Sequence, residues 1–234
     1  MKEPKISAIV CALNEAKYIG PCLASLEKQT FKDFEIIVSD GNSSDSTLDI
    51  ARKFTNRIVS SKDKNIASGR NKGARLARGR IVGFIDADCL VSPNLLNKVH
   101  HAFTHSKDCV GVATKFLPRS NSPIDKILVH VYGEFVSASL RLKPQVPAMC
   151  CFYRKDIFWK CGGLDERRTL NEDIDLSSKA GKLGRIVLLD EYVHVSMRRV
   201  RKYGYLRFIL FHLKSFWSYN VAKNVLSTNY PPVR

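Results

Sequence analysis

The sequence predicts an α/β fold, a mostly parallel central sheet flanked by helices, and two observations carry this. Up to about Leu117, short β-rich runs alternate with segments whose apolar residues recur at helical spacing, the signature of βαβ units. The composition, 44% hydrophobic and 26% charged over 234 residues, is that of a globular chain able to bury a core without staples.

The elements follow in order. Strands are expected at Ile6–Ala12, Glu35–Ser39, Arg57–Ser60, Ile81–Asp86 and Val110–Phe116. Helices are expected at Tyr18–Lys28, Ser46–Phe54, Ala67–Ala77 and Pro93–Thr104, with Asp45 before one and Ser92-Pro93 opening another as start signals. Ser120-Asn121-Ser122-Pro123 is the best break in composition, and a helix-like run from Ile124 to Leu140 follows it. This divides a domain of residues 1–200 into halves 1–117 and 118–200, and leaves 201–234 as a basic, aromatic helical segment.

The formal net charge is +16, and half of it sits late in the chain: Val193 to Arg234 contains eight Lys and Arg residues and no acidic one. Such an excess favours phosphate-rich ligands, nucleic acid or an anionic membrane. Tyr205 to Tyr219 mixes bulky apolar residues with isolated cations, which suits an amphipathic helix lying on a membrane. A helix packed on the domain, or a contact in a homodimer, stays open as an alternative. Nucleic acid is disfavoured, because the strand ends are acidic and no RNA-binding or helix-turn-helix signature is present. The apolar stretch Ile6–Leu13 is too short for a secretory signal, and no run reaches the roughly 20 apolar residues of a membrane span. The expected location is cytoplasmic, peripheral on the inner face of the membrane. Seven cysteines without Cys-x-x-Cys spacing read as buried free thiols.

Ligands of open α/β sheets bind beyond the carboxyl ends of the strands. Three of those ends are unusually polar: Asn14-Glu15, Asp40 to Asp45, and Asp86-Ala87-Asp88. Two carboxylates one residue apart, leaving a buried strand, can aim at one hard cation that also keeps water and phosphate ligands; Asp-x-Asp also suits a plain turn or helix cap. Gly69-Arg70-Asn71-Lys72-Gly73 lies in a helical pattern where each glycine costs about 1 kcal/mol relative to alanine. Something therefore approaches that backbone closely, and Arg70 and Asn71 offer donors to phosphate or to an aspartate at the neighbouring strand end. Glu172-Asp173 opens a helix, where acids serve the dipole or face a cleft.

Taken in order, Ile6 to Glu15, Asp40-Gly41 with Ser44-Asp45-Ser46-Thr47, Arg70 to Gly73, Asp86-Ala87-Asp88, Gly162 to Glu166 and Asn171 to Leu176 resemble glycosyltransferase family 2 over roughly residues 4–200. The first segment departs from the family's proline-containing form, with Cys11-Ala12-Leu13 before Asn14. The resemblance implies a GT-A Rossmann-like fold and inverting transfer of a sugar from a nucleotide-diphosphate donor, a UDP-sugar rather than a GDP-sugar. The acceptor would be a hydroxyl or phosphate on a lipid-linked molecule or polysaccharide. Ala12, Asn14 and Glu15 would line the nucleotide pocket, Asp40 the base, and Arg70 and Asn71 the diphosphate side. Asp86 would face ribose and metal, and Asp88 would be the main ligand of Mg²⁺ or Mn²⁺. Asp173 matches the catalytic base, with Glu172 and Gly163 on the acceptor side; for a phosphate acceptor, already largely ionised, Asp173 would only position it. His194 is a candidate further metal ligand or a hydrogen-bonded strand residue. A sugar nucleotidyltransferase is the competing enzyme class, but its glycine-rich, lysine-bearing loop is absent after the first strand.

Overall fold

The computed structural model describes residues 3–62 and 65–222. The expected alternation is present: β1 (Ile6–Ala12), α1 (Ile19–Glu27), β2 (Phe34–Asp40), α2 (Thr47–Ala51), β3 (Ile58–Ser60), α3 (Ile66–Leu76) and β4 (Ile81–Asp86). There follow β5 (Leu90–Val91), α4 (Leu95–His105), β6 (Cys109–Pro118), α5 (Pro123–Leu142), β7 (Cys150–Arg154), α6 (Lys155–Lys160), α7 (Glu172–Ala180), β8 (Arg185–Val195), α8 (Arg198–Tyr203) and α9 (Tyr205–Trp217), which runs into a π-helical turn over Ser218–Ala222. Residues 223–234 of the expected C-terminal segment lie outside the described residues.

The strands form one eight-stranded sheet in the order β3-β2-β1-β4-β7-β6-β8-β5. β3, β2, β1 and β4 are parallel throughout. Beyond β4 the sheet is mixed: β7 inserts antiparallel to both β4 and β6, β8 runs parallel to β6, and β5 closes the edge antiparallel to β8. Strands on both sides of residue 118 thus share this sheet.

Its two faces bury separate layers because successive strand residues point to opposite sides. Ile6, Ala8 and Val10 of β1 pack with Leu23 and Leu26 of α1 and Leu96 and Val99 of α4. Ile9 faces the other way and joins Phe84, Phe158 and the helix α3. On α3, a β-carbon at Gly73 would lie 2.5 Å from Ile9 Cγ2, so only glycine lets this helix rest directly on β1. The close approach predicted from the two glycines is therefore a helix–strand contact, and it sets Arg70, about one turn earlier on α3, against the strand ends. α5 opens with Ser122 as N-cap and Pro123 in its first turn. All seven cysteines are free, five of them buried.

Candidate active site

Parallel pairing lines up the carboxyl ends of β1, β2 and β4, with Ala12 opposite Asp40 and Cys11 opposite Asp86. The loops leaving β1 and β2 are then fastened to each other. Asn14 adopts a left-handed φ of 56°, tolerable for asparagine. Its N–H donates to Ser43 Oγ at 2.9 Å, and its Oδ1 accepts from Ser44 N at 2.9 Å. The Glu15 N–H donates to Thr47 Oγ1 (2.8 Å), and the Gly41 N–H to the Ala12 carbonyl (2.8 Å). Asp40 is fully buried and accepts from both the Ser43 N–H (2.9 Å) and its hydroxyl (2.5 Å). Ala12, Asn14 and Asp40 are thus brought together, but their polar groups are spent on the turn they build.

A different arrangement lies beside it. Arg70 is buried and reaches in two directions, Nη2 donating to Asp86 Oδ1 and Nη1 to Glu172 Oε1, each at 2.9 Å. Burial opposes its charge, but Asp86 and Glu172 overcome that and raise its pKa. Glu172 is pushed up to about 7 by burial and by repulsion from Asp173, with Arg70 opposing. Asp173, half-buried, accepts from Ala148 N and Ile174 N at 2.8 Å each. Burial raises its pKa, while Arg70 and these amides oppose the rise. The segment entering β7 ties the two acids' neighbourhoods together, since the Met149 carbonyl accepts from Asp86 N at 3.0 Å.

Asp88 faces a second arginine. Arg198, the first residue of α8, donates from Nη1 and Nη2 to the two oxygens of Glu15 at 2.7 and 2.5 Å. Its Nε stands 3.0 Å from Asp88 Oδ2, an ion pair without an aligned hydrogen bond, and its guanidinium lies over the Tyr18 ring. Asp88 is pushed up to about 6 by burial and by the charge of Asp86, with Arg198 opposing and Glu15 adding to the rise. Crowded carboxylates of this kind suit a hard divalent cation, because only added positive charge relieves them. Among the described residues no group of three or more His, Cys, Asp and Glu side chains is placed to hold a metal, so a cation on Asp86 and Asp88 would draw its other ligands from water and phosphate. His194 is exposed on β8, in register with Leu90 of β5, and is not gathered with the two aspartates in such a group.

Asn71 and Gly163 belong to a third contact. The Asn71 amide donates to the Leu164 carbonyl and to Glu166 Oε1, both at 2.8 Å, and accepts from Leu164 N at 3.0 Å. Gly163 has φ +68°, and a β-carbon there would meet Asn71 Oδ1 at 2.9 Å. Asn71, expected at the diphosphate, has its amide occupied in clamping the 163–166 loop to α3. Trp159 is partly buried, edge-on to Phe158 and under Arg75.

The sequence profile described as Glycosyl transferase family 2 matches residues 7–162. The chain belongs to glycosyl transferase family 2. A relative named PGL/p-HBAD biosynthesis glycosyltransferase, from Mycobacterium bovis, is 28% identical over 211 residues, covering 87% of this chain and 79% of that one. Against two other curated relatives the chain spans only 29% and 50% of their length. Among solved structures, the mannosyltransferase PcManGT of Pyrobaculum calidifontis, in complex with GDP-Man and Mn²⁺, superposes with a TM-score of 0.73 at 20% identity, over 99% of this chain and 67% of that one. S. aureus TarS with UDP-GlcNAc gives 0.66 at 23% identity, over 82% and 58%. These likenesses establish that the family 2 chain has the GT-A fold the resemblance implied.

The family resemblance places Arg198 in the basic run Arg198–Tyr203, where it would grip the donor diphosphate or lie as solvated basic surface, but gives it no protein partner. Its pairing with Glu15 spans 183 residues, and the only local signal is that it is the first cation after β8.

Proposed function

We propose that this chain transfers a sugar from a nucleotide-diphosphate donor, with inversion and a divalent cation, to a hydroxyl or phosphate acceptor on a lipid-linked molecule or polysaccharide. The observation that carries this is the convergence of Asp86, Asp88, Glu172 and Asp173 on two arginines at the carboxyl ends of β1 and β4. The donor's nucleotide would lie over the turn built by Ala12, Asn14 and Asp40, with a UDP-sugar as the favoured donor. Asp88, with Asp86, would hold Mg²⁺ or Mn²⁺, which when bound neutralises charge on the departing diphosphate. Arg198, beside Asp88, adds a second positive charge there. Arg70 holds Asp86 and the buried Glu172 in fixed positions relative to each other. Asp173 is positioned by two backbone N–H groups, and its raised pKa strengthens it as acceptor of the proton leaving an attacking hydroxyl. A single displacement of this kind needs no covalent enzyme intermediate.

Among the described residues no helix is long and apolar enough to cross a membrane. Membrane contact in this reading is peripheral, through the basic segment that contains α9.

The test is a donor screen with UDP-, GDP- and dTDP-sugars, with and without Mn²⁺, on the full chain. Turnover should require the cation and fall by about 10²–10⁴ in Asp173→Ala, the range for removing a general base. Asp88→Ala should lose activity together with Mn²⁺ affinity measured by calorimetry. Full activity in both variants rejects the proposal.

A further inference from the structure

α5 and α9 lie side by side in the same direction and are fastened along their length. Near their starts the Tyr205 hydroxyl donates to Asp125 Oδ1 at 2.8 Å. Further along, Phe135 and Phe216 meet edge-on with centroids 5.3 Å apart, and past the end of α5 Gln145 Nε2 donates to Asn220 Oδ1 at 2.9 Å.

Among the described residues each helix leaves an apolar stripe uncovered. On α5, Ile127, Val131 and Phe135 recur every fourth residue, and the first two are 63% and 60% exposed. On α9, Leu206, Leu210 and Leu213 recur at steps of four and three and share one side of the helix, with Leu206 at 70% exposure. Single exposed aliphatics are ordinary, but two parallel stripes joined by an aromatic contact form a contiguous patch of the kind that marks an interaction site. The setting of the patch selects its occupant. Exposed Lys126, Arg141, Arg207 and Lys214 lie on the same helices, and no acid follows Val193. The acids of α5 are Asp125, buried under Tyr205, and the exposed Glu134. A second copy of a chain with net charge +16 would set like charge against like, whereas an anionic lipid surface complements both the cations and the apolar rows.

We infer that α5 and α9 form one docking surface for an anionic bilayer, wider than the C-terminal segment alone. Resting on the reading of Asp173 as the acceptor-side base, the surface also names the acceptor class as lipid-linked. α9 is bonded to the N-cap residue of α7: Ser215 Oγ donates to Asn171 Oδ1 at 2.8 Å and Asn171 Nδ2 to the Ser215 carbonyl at 3.3 Å. Glu172 and Asp173 come next in the chain. A bilayer held on this face therefore sits beside the acceptor end of the site.

The experiment is flotation of the full chain with vesicles of equimolar phosphatidylcholine and phosphatidylglycerol, and with phosphatidylcholine alone. The wild type should float with the anionic vesicles and far less with the neutral ones. Ile127→Glu/Val131→Glu and Leu210→Glu/Leu213→Glu should each lower the bound fraction by about tenfold, because each inserts charge into an apolar stripe. Lys126→Glu/Lys214→Glu leaves both stripes intact and should weaken binding only where phosphatidylglycerol is present; it decides the matter if an apolar variant fails to fold by circular dichroism. Wild-type-like flotation of the α5 variant overturns the two-helix surface, as does failure of the wild type to bind either vesicle. Sedimentation showing a vesicle-free dimer that the variants dissolve also overturns it, by giving the face to a second copy. Hydrolysis of nucleotide-sugar in solution reads the transferase proposal separately: vesicle binding without any donor turnover would reject that reading and leave the surface.

Discussion

Two polar neighbourhoods at the same end of the sheet treat charge in opposite ways. In the turn that joins the loops after β1 and β2, carboxylates accept from nearby N–H and O–H groups, and Asp45, against some desolvation, is held below the usual range by Thr47 and Ala16. Between α3 and α7, Glu172 and Asp173 are shifted the other way, and Asp86 and Glu172 share the single guanidinium of Arg70. Both regions contain motif residues with the same chemistry on paper. One is finished as structure, and the other keeps an excess of negative charge that a cation or a proton can relieve.

The comparison can be broken most sharply at Arg70. Arg70→Met should cost about 3–5 kcal/mol in urea unfolding, because it leaves buried carboxylates uncompensated. Arg70→Met/Glu172→Met should recover a large part of that loss; a single variant as stable as wild type would mean that the carboxylates are not strained. Next comes Asn71→Ala, which strips hydrogen bonds from a buried loop and should cost about 1–3 kcal/mol. Donor KM at the optimum temperature should stay at the wild-type value, and a raised KM with unchanged stability would return Asn71 to the diphosphate. The smallest effect is a slope. Glu172 sits at about 7 in the folded chain against an ordinary 4.5, so the folded state holds more protons between those values. Its contribution to stability is full below that window and declines as pH rises through it. Glu172→Gln should flatten this part of the stability–pH curve, and an unchanged curve would assign the slope to another group.

The N-terminal half was legible because each βαβ unit writes its own period: β1 and β4 lie where the apolar runs predict, and α3 is displaced by one residue. β7 was not, since Cys150–Arg154 is a five-residue run whose partners, β4 and β6, are distant in sequence and joined to it by no hairpin turn. β5, at two residues, carries no pattern at all. The site divides similarly. Residue types and order pointed to Asp86, Asp88 and Asp173, but a side chain's direction depends on packing, so nothing local separated Asn71, which clamps a loop, from Arg70 next to it. The direction of His194 follows from the same packing: alternation sends Val193 and Val195 into the core and leaves His194 facing out.

The reach of Arg70 also bears on how such chains can be recombined. Its carboxylate partners lie 16 and 102 residues away, one in each half of the domain. A first half grafted onto a second half lacking the glutamate would carry a buried cation with one counter-ion missing, and the reverse graft a buried acid with none. A chimera joined across residue 118 keeps this bridge only where the incoming half supplies the matching arginine or glutamate.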